Sequence, residues 1–339
     1  MDKIITYIIA IVAVIALIIS AFGYITFQGQ ISDINDSISN IEAQLGEEGQ
    51  IDEYNPVTLV DRVGNIVTLT EAPERIVSLA PSSTEVLFAL GAGENVVGIT
   101  DYCNYPYNFS AWVEAGNMTS IGSFSGPSIE PIVALDPDLV LASTQSLDAA
   151  SSLKNLGYAV LVVEGHTIDE VLGDIIMVGR AVGKDTEASG IVNDMRTRID
   201  SVANQLAGVT TTPTVYHEVW NEPLMSVGPE NFIDELITMA GGSNIFHDAT
   251  TSWPMVSSES VISKNPDVMF FPDMYMGQGN FYDTVESVEN RPGWDSITAV
   301  QNDALYEINA DIISRSGPRL VDALELIAQM VHPEIFGEL

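Results

Sequence analysis

Trp253 stands directly before Pro254 in a Thr/Ser-rich stretch, where packing in a core poorly explains so large an apolar side chain. Tyr102 and Phe124 fall in loops that follow short apolar runs, and there both a packing role and contact with a ligand are open. Aromatic faces of this kind stack and exclude water; they do not make or break bonds. Residues that do such chemistry are sparse. Cys103 is the only cysteine, so no disulfide forms within the chain and no thiolate-rich metal site can be built. The 4 histidines include no pair at metal-ligand spacing. Ser82-Ser83-Thr84 reads as a helix start, not as a nucleophile elbow, and there is no phosphate loop. Gly91-Ala92-Gly93 closes a helix where a dinucleotide loop would open one after a strand. No catalytic residue, resident metal or cofactor is therefore expected, and a binding function is.

The formal net charge of −35, from 47 acidic and 12 basic residues, excludes nucleic acid as a partner, because like charges repel. The same acidity suits a salty habitat or plain solubility. Residues 4–25 form an apolar run without a charged side chain, long enough to span a bilayer as a helix and longer than the apolar region of a cleaved signal peptide. With Lys3 before it and no cysteine near the N-terminus to carry a lipid, this run is expected to be a single-pass anchor, the rest of the chain lying outside the cell membrane.

Phe27, Ile31, Ile34, Ile38, Ile41 and Leu45 then recur at four- and three-residue spacing, a helical stalk, before the acidic linker Gly46-Glu47-Glu48-Gly49-Gln50. From Val57 strand and helix signals alternate, which predicts parallel sheets flanked by helices. Two stretches repeat one another: Glu130 and Glu259 are each followed seven and eight residues later by Pro-Asp, at Pro137-Asp138 and Pro266-Asp267, and then by an apolar strand. Two similar α/β lobes account for this most simply. Between them, residues 168–206 carry nearly continuous helical signals, from Thr167 as N-cap to the spacing of Ile191, Met195, Ile199, Val202 and Leu206. The expected organisation is an anchor over 1–27, stalk and linker over 28–55, an N-terminal lobe over 56–166, a bridging helix region over 167–208 and a C-terminal lobe over 209–339. A cleft between lobes is the favoured seat for a small ligand.

The stretch Arg75-Ile76-Val77-Ser78-Leu79-Ala80-Pro81-Ser82-Ser83-Thr84-Glu85 and the later Asp101-Tyr102-Cys103-Asn104-Tyr105-Pro106 resemble the opening of the periplasmic (solute-binding) protein family that serves ABC importers of cobalamin, haem and iron-siderophores, above all its cobalamin branch. Gly241-Gly242-Ser243-Asn244, Ser252-Trp253-Pro254 and Ser314-Arg315-Ser316-Gly317-Pro318-Arg319 continue the resemblance to about residue 336. The resemblance implies two Rossmann-like lobes bridged by a single long helix, a ligand in the cleft, and as partners a permease with its ATPase subunits. It puts Tyr102, Phe124 and Trp253 against a corrinoid ring, Asp311 and Arg315 at the ligand's polar edge and Trp220 nearby. It also makes Glu130 and Glu259 the pair that meets arginines of the permease. Ser143 departs from the pattern, standing where the best-known cobalamin binder has a further tryptophan. This leaves haem open, with Tyr102 and either His217 or His166 as iron ligands, and a siderophore open as well. A ligand-binding module of a sensor is the reading from another class.

Overall fold

A computed structural model of the chain describes residues 54–274 and 283–339. The anchor and all but the last two residues of the stalk and linker lie outside the described residues. Among the described residues, no helix is long and apolar enough to cross a membrane.

Five strands form the first sheet: β3 (Ile76–Ser78), β4 (Val96–Ile99), β5 (Thr119–Ser120), β6 (Leu139–Ala142) and β7 (Val160–Val162), preceded by a hairpin of β1 (Val57–Val60) and β2 (Ile66–Leu69). The sheet order is β5-β4-β3-β6-β7 and every pairing is parallel. All four residues of Leu139-Val140-Leu141-Ala142 are buried, as a parallel strand covered on both faces requires. The second sheet contains β8 (Thr214–Asn221), β9 (Leu224–Ser226), β10 (Ser243–Asn244), β11 (Val268–Pro272) and β12 (Leu305–Ile308). Its parallel order is β10-β8-β11-β12, with β9 folded back antiparallel on β8. Two doubly wound α/β lobes result, as the alternating pattern predicts.

The repeated Pro-Asp pair has a structural duty in each lobe. Asp138 accepts the backbone N–H groups of Glu74 and Arg75 just before β3, at 2.8 and 3.0 Å. Asp267 accepts the N–H of Thr214 at the start of β8, at 2.8 Å. Each aspartate thus ties its own strand to the neighbouring first strand of its five-stranded sheet, and the residue before each proline, Asp136 or Asn265, takes a left-handed turn at φ 45° or 46°.

The bridging region is not the single long helix expected. It is two helices, Ile168–Ala181 and Asp185–Gln205, broken at Gly183, whose φ of +70° ends the first as a left-handed cap. The two helices approach closely at Gly179, where a Cβ would sit 2.4 Å from that of Ala188. Thr167 caps the first helix as expected, its side chain accepting from the N–H of Glu170.

One buried apolar cluster runs through both lobes, from Leu87 and Leu141 by way of Ile175 and Met195 to Val215, Phe270 and Leu324. Separate clusters fill the outer faces, around Val77 and Ile132 in one lobe and around Trp294 and Phe271 in the other. A core shared across the bridge resists large hinge motion, because opening it would expose apolar surface.

Candidate functional site

In an open α/β sheet the crevice beyond the carboxyl ends of the strands, where strand order reverses, is the place for a ligand. In the first lobe that point lies between β3 and β6, so the start of the Pro81–Ala89 helix and Ser143 frame it. Tyr102 follows β4 and Phe124 follows β5, both half-buried, and their rings meet edge to face, 5.1 Å apart at 85°. The two aromatic residues of the first lobe are therefore one feature.

In the second lobe the matching point lies between β8 and β11, and Trp220 sits at the carboxyl end of β8. Its indole Nε1 donates to the carbonyl of Glu222 at 3.0 Å. Asp311 lies on the short Ala310–Ser314 helix, which Asn309 caps through Ile312 N at 3.1 Å and Asp273 holds through Ala310 N at 3.0 Å. Arg315 follows directly. Trp253 is 44% exposed, in keeping with a residue that packing does not claim.

The two carboxyl rims touch through a polar network. Arg315 donates from Nη1 to Glu85 at 2.8 Å and to Asn104 at 2.8 Å, and from Nη2 to Asp311 at 2.7 Å and to the carbonyl of Tyr102 at 3.1 Å. Asn104 in turn donates to Asp311 at 2.7 Å. Arg319 grips the same Glu85 through Nε at 2.8 Å and Nη2 at 2.6 Å, with its guanidinium 4.0 Å over the ring of Tyr105. Asp311 and Arg315, expected at the ligand edge, are thus also the clasp between the lobes. Sequence reasoning missed Glu85, Asn104 and Arg319 as its other members. The available signal was a pair of arginines four apart in a chain with only 12 basic residues.

Cys103 lies behind this network, its sulfur 3.1 Å from Thr84 Oγ1 and 3.3 Å from Thr100 Oγ1, and burial pushes its thiol pKa up, away from nucleophilic character. His217 is buried in the second lobe, stacked on Phe270 at 4.5 Å with Nδ1 3.1 Å from that residue's carbonyl. Burial lowers its pKa to about 4, so it is a neutral core histidine. Its ring is occupied in the core, which removes it as a haem ligand; His166 is joined through its backbone to Glu170. Among the described residues, no group of three or more His, Cys, Asp or Glu is placed to hold a metal ion.

A hollow of about 420 Å³ lies beside Phe124, lined by Ser125, Gly126, Thr144, Gln145, Ser146 and Leu147 among others. It opens at the loops that follow β5 and β6, directly after Ser143. Another, of about 440 Å³, lies against the Asp185–Gln205 helix near Met195 and Arg319. Neither hollow gathers Tyr102, Phe124 and Trp253 together.

Glu130 and Glu259 are both exposed, each the second residue of its helix, Ile129–Ala134 and Ser258–Lys264. The pKa of Glu259 is lowered by its own backbone N–H and by Ser257 at the helix start. The repeat in sequence is therefore a repeat in placement.

Two doubly wound lobes, a shared core and facing carboxyl rims lined with aromatic residues define a bilobal binding protein. The chain belongs to the periplasmic binding protein family, which it matches over residues 76–312. It is 31% identical over 294 residues to an uncharacterized ABC transporter substrate-binding lipoprotein of Bacillus subtilis, covering 84% of this chain and 88% of that one. A vitamin B12-binding protein of Vibrio cholerae is 28% identical over 75% of this chain and 87% of its own length. The crystal structure of the periplasmic vitamin B12-binding protein of V. cholerae superposes with a TM-score of 0.64 at 26% identity, over 79% of this chain and 99% of that one. A periplasmic heme-binding protein from Roseiflexus superposes equally well, with a TM-score of 0.65 at 25% identity over 76% and 98% of the two chains. The chain is accordingly a solute-binding protein of an ABC transporter, and the family is one of binding proteins, not of enzymes.

Proposed function

We propose that the protein captures a cobalamin-like corrinoid outside the cell membrane and delivers it to an ABC importer. The observation that carries the choice of ligand is the neutralised clasp: both arginines of the rim, Arg315 and Arg319, are already paired with Glu85 and Asp311. Haem presents two carboxylates and a catecholate siderophore several negative charges, and in a chain of net charge −35 such ligands need free cations. A corrinoid is fringed by neutral amides around an apolar ring, which suits aromatic faces with amide and backbone partners. Sequence similarity to B12-binding proteins supports the same reading.

Residues 4–25 are proposed to hold the protein at the membrane, in place of the lipid of the Bacillus relative, because the chain's one cysteine is the buried Cys103. Glu130 and Glu259 are proposed to dock the two lobes on the permease.

The test is to incubate the purified full-length protein with cyanocobalamin or with haemin, remove free ligand by gel filtration, and record the absorption spectrum. Retained corrinoid bands support the proposal. A retained Soret band with no corrinoid moves the ligand to haem.

A further inference from the structure

Asn108-Phe109-Ser110 and Asn117-Met118-Thr119 are Asn-x-Ser/Thr triplets without proline in the middle, the form in which an asparagine accepts a sugar. Both asparagines are exposed, while Phe109 and Met118 between them and the hydroxyl residues are buried. Each triplet is thus pinned to the core by its middle residue and turns its asparagine to water.

Other exposed asparagines spend their amides inside the fold. Asn65, Asn104, Asn265 and Asn290 donate through Nδ2 to Asp61, Asp311, Thr298 and the carbonyl of Glu286, at 2.8, 2.7, 2.8 and 2.7 Å. Asn108 stands at the N-cap of the Phe109–Glu114 helix, where asparagine is a favoured cap, yet its side chain makes no cap bond. Asn117 is held by its backbone, its N–H donating to the carbonyl of Trp112 at 2.9 Å. Among the described residues, no hydrogen bond engages either side-chain amide.

The surroundings suit a bulky polar substituent. Thr119 pairs with Gly98, so Asn117, two residues earlier, lies level with Val96, at the end of the sheet away from the proposed cleft. It directly precedes the outermost strand, β5, and an open strand edge is a feature that natural proteins cover. Asn108 adjoins Tyr107, which is 51% exposed and stacks on Trp112 with ring centroids 5.2 Å apart at 20°. The C–H face of a sugar ring can rest on such an aromatic pair. Phe109 and Met118 belong to the apolar cluster on one face of the first sheet, whereas Ile132, from the helix that carries Glu130, belongs to the cluster on the other. Substituents on both asparagines therefore leave the proposed docking glutamate clear.

We propose that Asn108 and Asn117 are N-glycosylation sites. The co-substrate is a sugar carried on a polyisoprenyl phosphate in the membrane. Nδ2 of the asparagine bonds to the anomeric carbon, the bond from that carbon to the phosphate oxygen breaks, the phosphate leaves with the electron pair, and the amide gives up one proton. This rests on the reading that the chain lies outside the cell membrane, and not on the choice of ligand.

The experiment takes the full-length protein from its own cells, cleaves it after glutamate and reads the peptides by tandem mass spectrometry. Cleavage at Glu94, Glu114 and Glu130 puts one asparagine in each of the peptides 95–114 and 115–130. Both are expected to carry sugar-unit mass increments that fragment from the asparagine. Ser110→Ala and Thr119→Ala should each abolish the increment on their own peptide while keeping the asparagine, and Thr119→Ser should restore it, which a modification indifferent to the hydroxyl would not do. A peptide recovered at its unmodified mass overturns the assignment of its asparagine. Labelling of intact cells with a membrane-impermeant amine reagent, read at the exposed Lys264, separates the two possible failures. Unmodified peptides from a labelled protein overturn glycosylation and leave the external location standing; unmodified peptides from a protein that stays unlabelled overturn both.

Discussion

Arg315 of the C-terminal lobe reaches Glu85 of the N-terminal lobe, Nη1 to Oε1 at 2.8 Å, across 230 residues of sequence. The Glu85 side chain is 2% exposed and that of Arg315 9%, so the pair is desolvated and its worth lies in being complete. Removing one partner strands a buried charge. Glu85→Ala is expected to lower unfolding stability by about 3–5 kcal/mol, since Arg319 loses its carboxylate partner and Arg315 keeps only Asp311 of its two. Urea unfolding of the variant measures it; a loss under about 1 kcal/mol would show the clasp to be no more than a surface ion pair.

Trp253 offers the opposite balance, being exposed in the fold and proposed to face the ligand. Trp253→Ala is expected to leave the melting temperature nearly unchanged and to weaken corrinoid binding by about 2–4 kcal/mol, the range for an aromatic anchor. Titration calorimetry beside thermal unfolding separates the two effects. A large fall in melting temperature with unchanged affinity would make Trp253 a packing residue.

Two buried groups make stability respond to pH in opposite directions. His217 has its pKa lowered from 6.5 to about 4 by burial, so the unfolded chain takes up the proton first; its contribution is present above pH 6.5 and is lost as pH falls towards 4. Asp174 has its pKa raised from 3.8 to about 6, burial outweighing the nearby Arg62 guanidinium, so its contribution is present below pH 3.8 and is lost as pH rises through 6. The two largely offset each other between pH 4 and 6. Asp174→Asn should therefore make the melting temperature climb more steeply with pH over this window, and His217→Asn should make it fall. Melting curves at half-unit steps test the pair, and parallel profiles for parent and both variants would contradict the assignment.

Glu130 and Glu259 occupy equivalent helix starts, exposed, one in each lobe. Charges at the rim of an interface steer and orient more than they bind. Replacing both by alanine is expected to leave the corrinoid Kd unchanged while reducing ligand-stimulated ATPase activity of the reconstituted permease, with added salt reducing the parent's activity in the same manner. Full stimulation by the double variant would rule out docking through this pair.

The sequence by itself determined what repeats or recurs locally. Alternating apolar runs marked the strands, Thr167 and its neighbours marked a helix start, and the doubled Glu and Pro-Asp spacing announced two lobes, because strand and helix periodicity and capping act over a few residues. The aromatic residues Tyr102, Phe124 and Trp253 were legible as loop residues, and the family resemblance carried their role. Only the tertiary structure decided which distant groups meet. Nothing periodic links Glu85 to Arg315, and a single glycine at φ +70°, Gly183, turned a continuous helical signal into two helices. Likewise, Trp220 lies opposite Met225 because the pairing of β8 with β9 shifts by one residue at Val219. Register in a strand flips sides with every residue, so only the actual pairing reveals which side chains lie together.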